Sequence, residues 1–168
     1  MIGNTMTAAR HRRKFSGWCR TLLLVVLVGW AVAAAAATTE QLVADRNSGL
    51  AISGFDPVAY FINRTPLLGR EGIEHAFAGA VWRFRNEGNR AVFIADPEVY
   101  MPRFGGYDPV GVARGVAVAG DPRLWLIEGE RLYFFYTREA RAAFAADSER
   151  LGAAAEKAWP AVLQTLAP

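Results

Sequence analysis

The chain has 168 residues, 19 basic and 16 acidic side chains, a formal net charge of +3, 52% apolar residues and a single cysteine. That length suits one domain with a packed core and leaves no room for two large ones. A single cysteine excludes an intramolecular disulfide framework and any site built from clustered thiolates.

Residues 1–37 read as an export leader. Arg10, Arg12, Arg13, Lys14 and Arg20 form a basic head without an acid, Leu22 to Val32 is apolar, and Ala33 to Ala37 supplies small residues before the polar Thr38. This is the anatomy of a secretory signal peptide, with cleavage after Ala37 and a periplasmic destination. A retained membrane anchor is the alternative, although the apolar stretch falls just short of the roughly 18 to 20 residues a spanning helix needs. "RRKF" at Arg12 to Phe15 also leaves twin-arginine export open beside ordinary secretion.

Removing the leader inverts the charge. Of the 19 bases and 16 acids, residues 1–37 hold five bases and no acid, so the remainder carries 14 minus 16, or −2. No clustered basic face survives, so a nucleic-acid partner is not expected. The leader also takes Cys19 and His11 with it, leaving His75 as the one histidine and Met101 as the one methionine. Such a chain must be held together by core packing alone.

In chain order, residues 38–53 read as a lead-in. "GFDPVAYF" (Gly54–Phe61) then opens a unit spanning 54–104, with Asp56 as N-cap and Pro57 as first residue of a short helix. Ile73 to Ala78 and Val81 to Arg85 alternate as a hairpin around Gly79, placing Trp82 and Phe84 on one face and Arg83 and Arg85 on the other. Asn86 caps a helix from Glu87 that Asp96–Pro97 stops. "GYDPVGVA" (Gly106–Ala113) begins the same order again in a unit spanning 105–160. Leu124 to Ile127, a turn at Glu128–Gly129, and Arg131 to Tyr136 make its hairpin, whose second strand is apolar on both faces. Thr137 caps a helix from Arg138; with Ser148 in place of Pro97, that helix is expected to run on through Leu151, Ala155 and Ala158 until Pro160 breaks it. The tail, 161–168, is expected to pack back.

The two units match in sequence. Gly54 to Val58 lies over Gly106 to Val110 at an offset of 52, and Val81 to Glu98 lies over Leu132 to Glu149 at an offset of 51. Two blocks in the same order at nearly the same spacing point to an internal duplication. The expected fold is therefore α+β: a single compact domain of two related hairpin–helix units facing each other through their aromatic strands.

Each unit resembles a YHS module, a small metal-binding domain whose pattern opens D-P-V-C-G-M and continues Y-x-F-C-S-x-x-C-x-x-x-F-x-x-D-P-E-x-Y. The whole is similar to exported bacterial YHS-domain proteins, with G-F-D-P-V-A-Y-F near the start, a G-G-Y loop in the middle and A-x-x-x-W-P at Ala155 to Pro160. The resemblance covers roughly residues 52–160, and "FRNEGNRAVFIADPEVY" (Phe84–Tyr100) is its most specific stretch. It implies a scaffold more than an activity. The cysteine positions of the pattern fall on Ala59, Arg85 and Asn89 in the first unit and on Gly111, Tyr136 and Ala140 in the second. Thiolates select copper(I), zinc and iron–sulfur centres, so the sulfur chemistry is lost and no cofactor is expected. Arg85 would moreover repel a divalent ion.

Oxygen and nitrogen ligands are the remaining route to a metal, and Asp56, Asp108 and His75 are the candidates. Both aspartates have sufficient work as helix caps, and one histidine makes no chelate. A copper- or zinc-handling protein using such ligands is the alternative function. No serine or cysteine stands in a nucleophile context, and Gly105, Gly106, Gly111 and Gly115 lack the Lys-Ser/Thr of a P-loop, so an enzyme is not expected. "RFGGYDPVGVARG" (Arg103–Gly115) joins the units and carries Arg103, Tyr107, Asp108 and Arg114. These are the candidate residues for gripping a small ligand or an envelope partner without catalysis.

Overall fold

A computed structural model describes residues 41–166; the leader, its cleavage and the anchor alternative all fall outside them. The fold is α+β, with six helices and two small antiparallel sheets among the described residues. The chain runs through α1 (Pro57–Ile62), β1 (Glu74–Phe77), β2 (Ala80–Arg83), α2 (Glu87–Ala95) and α3 (Pro97–Tyr100). It continues through α4 (Pro109–Val112), β3 (Asp121–Glu128), β4 (Arg131–Phe135), α5 (Arg138–Ala146) and α6 (Ser148–Leu163). None of these helices is long and apolar enough to cross a membrane.

Each hairpin is closed by two residues with positive φ, Ala78 and Gly79 in the first and Gly129 and Glu130 in the second. That backbone matches the right-handed twist of the flanking strands. The second turn is thus one residue later than its sequence suggests, because the ladder extends to Glu128↔Arg131. β3 is also longer than expected, starting at Asp121, and its register shifts between Asp121 and Trp125. On β2, Trp82 is buried while Arg83 is half-exposed and pairs with Glu74 at 2.6 Å, as the alternation predicts.

The caps form as read. Asn86 accepts from the Asn89 N–H at 2.8 Å and Thr137 from the Ala140 N–H at 3.1 Å. Two helix boundaries differ. α5 does not run on: the chain breaks at Asp147 (φ −154°, ψ 58°), much as it breaks at Asp96 (φ −150°, ψ 72°), without a proline to force it. Its carboxylate takes Arg150 Nε at 2.5 Å. The break turns α6 back, so that Leu151 packs beside Phe144 while Ala155 and Val162 reach Phe104 and Val112. Pro160, in turn, lies inside α6, which continues to Leu163. Pro160 lies near the end of the helix on an exposed face, where the one backbone hydrogen bond it removes leaves the rest of the ladder intact and Val162 beyond it is still buried.

The same backbone contacts recur 51 or 52 residues apart. A tight 3₁₀ turn precedes each Asp-Pro helix (Ile52–Gly54 and Arg103–Gly106). Leu50 bridges Val81 and Pro102 bridges Leu132, both parallel; Phe55 bridges Leu68 and Tyr107 bridges Ala119, both antiparallel. Gly69 N–H reaches Gly54 O at 2.9 Å, and Gly120 N–H reaches Gly106 O at 3.0 Å.

The core gathers Trp82, Phe84 and Phe93 with Leu132 and Phe134, so aromatic residues of β2 and β4 do share one interior. Phe93 sits 4.9 Å from Trp82 and 5.2 Å from Phe84, ring centre to ring centre. The presumed lead-in belongs to this core, since Leu42, Ala51 and Ile52 are buried in it. Residues 41–45 form a strap across it: Val43 N–H donates to Gly105 O at 2.8 Å while Val43 O accepts from Ile52 N–H at 3.2 Å. Gly105 (φ +59°) must be glycine here, because a Cβ would fall on the Gln41 carbonyl oxygen.

Candidate functional site

The two Asp-Pro aspartates are latches. Asp56 is fully buried, and its Oδ1 accepts from Val58 N–H (2.9 Å) and Ala59 N–H (3.3 Å) at the start of α1. Its Oδ2 accepts from Arg85 N–H (2.7 Å) and Asn89 Nδ2 (2.6 Å), tying α1 to the end of the hairpin and to α2. Asp108 repeats this with fewer donors. Oδ1 takes Val110 N–H at 2.8 Å and Oδ2 takes Tyr136 N–H at 2.9 Å, and Ala140 stands where Asn89 does. A dry carboxylate is tolerated only when such donors satisfy it. Both oxygens of each aspartate face internal N–H groups, which leaves neither carboxylate turned toward solvent. Arg85 and Asn89 thus meet at the Asp56 latch, and Tyr136 N–H meets Asp108. Arg85 carries its own guanidinium to Leu68 O at 3.4 Å, and the Tyr136 side chain is 63% exposed.

The four candidate residues on the connecting segment are not brought together. Arg103 is half-buried, ion-paired with Glu156 of α6, and lies over the Phe104 ring at 5.5 Å. Arg114 is exposed past the end of α4, and its side chain makes no hydrogen bond or ion pair among the described residues. Asp108 is buried. Tyr107 alone borders a cavity of useful size, with its ring 6.1 Å from that of Trp159.

That cavity is a cleft of about 620 Å³ bordered by the strap (Leu42 to Arg46), Gly49, the tip of the first hairpin (Gly79, Ala80), Tyr107, Ala117, Ala119 and Leu166. The size is that of an ordinary ligand site. Asp45 shapes its rim: the carboxylate accepts from the Ser48 and Asn47 N–H groups and the Ser48 hydroxyl. The Ser48 N–H bond, foremost among these, holds the Asp45 carboxyl below the usual carboxylate range. Sequence reasoning missed the strap, because residues 38–53 carry neither periodicity nor motif; the small residues Gly79, Ala80, Ala117 and Ala119 were the only visible sign.

Metal ligands are scattered. His75 lies opposite Trp82 on β1 and stacks on Phe77 at 6.4 Å, and Glu74 is engaged by Arg83, with Glu71 3.8 Å from the same guanidinium. Among the described residues no three His, Cys, Asp or Glu side chains gather as a cation site would require. Two phenols, Tyr60 buried and Tyr133 half-buried, pack in the interior. Tyr60 donates to Pro122 O at 2.9 Å and contacts Trp125 and Phe134. Burial chiefly, with the nearby Asp121 charge, pushes its ionisation well above the ordinary tyrosine range. Burial likewise raises Tyr133.

No family model, curated protein or solved structure matches this chain.

Proposed function

We propose that the protein is an exported, non-catalytic binding module built from two YHS-like units that have lost their cysteines, and that it holds its ligand in the cleft beside Tyr107. The observation that carries this reading is the cleft itself. It is large enough for a ligand and is bordered by Tyr107, one of the candidate residues on the connecting segment. The recurrence of turn, bridge, cap and carboxylate latch at offsets of 51 and 52 residues supports the duplication and, with it, the kinship to YHS modules. The positions of the lost cysteines support binding rather than metal handling. Ala59 and Asn89 surround a carboxylate already saturated by N–H donors, and Arg85 adds a cation.

The experiment is a fragment screen followed by amide shifts in ¹H–¹⁵N spectra of residues 38–168. Bound fragments are expected to move Leu42 to Arg46, Tyr107, Ala117 and Ala119, and Tyr107→Ala is expected to weaken them. Shifts confined to other surfaces would reject the cleft. Elemental analysis of untagged protein gives the second arm: one metal ion per chain, lost on replacing His75, would reject a metal-free module. Export is tested by mass spectrometry of the native N-terminus, where an intact Met1 would overturn cleavage after Ala37.

A further inference from the structure

The cleft has a backbone edge along one wall. In the strap, the hydrogen bonds Asp45 N–H to Leu50 O (2.9 Å) and Ile52 N–H to Val43 O (3.2 Å) flank the pair Ala44↔Ala51. In an antiparallel pair such flanking bonds turn the polar groups of the enclosed residue to the opposite side. Ala44 N–H and C=O therefore point to an open edge. Neither group has a partner among the described residues. The far wall is built the same way. Asp108 N–H to Val118 O (2.8 Å) and Gly120 N–H to Gly106 O (3.0 Å) flank Tyr107↔Ala119, leaving the polar groups of Ala119 turned outward. The side chains around the cleft are small, with Ala44, Gly49, Gly79, Ala80, Ala117 and Ala119 in the lining.

From this we infer that the cleft receives an extended peptide, added as a strand along the open edge at Ala44, with Ala117 and Ala119 as its opposite wall. The inference rests on the binding-module reading and names its ligand class. Unsatisfied N–H and C=O groups on an extended residue give strand addition its starting point, and small neighbouring side chains let a second backbone approach closely. Arg46 sets the preferred chemistry of the peptide. Asp45 turns its carboxylate to its own turn, whereas Arg46 puts a cationic side chain among the bordering residues, and a guanidinium favours a carboxylate. The fitting partner is thus an extended segment with an acidic residue near its Arg46 end.

The probe is a phage-displayed library of random dodecapeptides, panned against residues 38–168, with enriched sequences resynthesised. Hits are expected to carry an acidic residue, to protect the Ala44 amide from hydrogen exchange, and to bind roughly tenfold more weakly when alternate peptide nitrogens are methylated, a loss equivalent to one or two backbone bonds. Ala44→Pro removes a donor that has no internal partner, so the fold should persist while affinity falls by a similar factor; Ala44→Ser, which keeps the donor and adds little bulk, should retain most of the affinity. Equal binding by Ala44→Pro or by the methylated peptides would overturn strand addition. A library without binders, alongside fragments that still shift cleft amides, would overturn the peptide and spare the binding module. A cleft silent to both would overturn the two together.

Discussion

Replacing Asp56 by Asn should destabilise the protein about twice as much as replacing Asp108 by Asn. An asparagine has one carboxamide oxygen, so only one side of the latch can still accept. At Asp56 each side receives two N–H donors: Val58 and Ala59 on Oδ1, Arg85 and Asn89 on Oδ2. Whichever way the amide turns, two bonds to the carboxylate are lost and an NH₂ group is pressed against two donors. At Asp108 each side receives one donor, so one bond is lost in either orientation. Hydrogen bonds to a charged group contribute about 1.5–3 kcal/mol each, which gives about 3–6 kcal/mol for Asp56→Asn and about 1.5–3 kcal/mol for Asp108→Asn. Against a typical total of about 5–15 kcal/mol, the first change brings the chain near its threshold. Urea unfolding followed by tryptophan fluorescence measures both, with an unchanged m-value as the sign that the transition remains comparable. Equal losses, or a greater loss at Asp108, would refute the donor count as the origin of latch strength.

Three further outcomes are expected. Tyr60 is neutral in the folded state and its folded pKa is raised, so its contribution to stability is fully present below about pH 10, the unfolded value. That contribution is lost as pH rises toward the folded value. Tyr60→Phe should cost about 1 kcal/mol at neutral pH through the lost bond to Pro122 O yet flatten the alkaline decline, and an unchanged alkaline slope would count against it. Gly105→Ala should detach the strap, exposing the Val43 amide to rapid exchange and lowering the melting temperature by several degrees; normal protection at Val43 would show that the turn can yield. A strong chelator should leave the unfolding midpoint unmoved, since core packing and latches carry the fold, and a large drop would instead reveal a bound ion.

Short-range chemistry was readable directly from the residues. Asn86 and Thr137 cap because a side-chain oxygen three residues ahead of an N–H is set by local geometry alone, and the Trp82–Phe84 alternation declares its buried face. The caps at Asp56 and Asp108 were readable for the same reason, but only their first half. Their second oxygens take N–H groups 29 and 28 residues away, and no spacing rule links such positions. The break at Asp147 escaped because no proline marks it; what places it there is the return of Leu151 onto Phe144, a tertiary gain. The strap escaped for a similar reason. Its value lies in Val43 meeting Gly105 and Ile52, neither of which advertises an empty partner. The connecting segment was expected to hold the site by virtue of its composition, yet Arg103 and Asp108 are spent on internal bonds.

β4 sends Leu132 and Phe134 into the interior shared with Trp82, and Tyr133 and Phe135 to the other side, against Phe104 and Phe144. A single strand of five residues is therefore common property of the three hydrophobic clusters among the described residues. Cooperativity follows from that arrangement. Neither half can unfold without stripping apolar cover from the other, so denaturation should proceed as one all-or-none transition with no half-folded species. A chain severed between Met101 and Pro102 would yield a first fragment lacking the two residues that close its core. Recombining the two fragments should restore structure that neither holds by itself, which makes the two halves obligate partners within one chain.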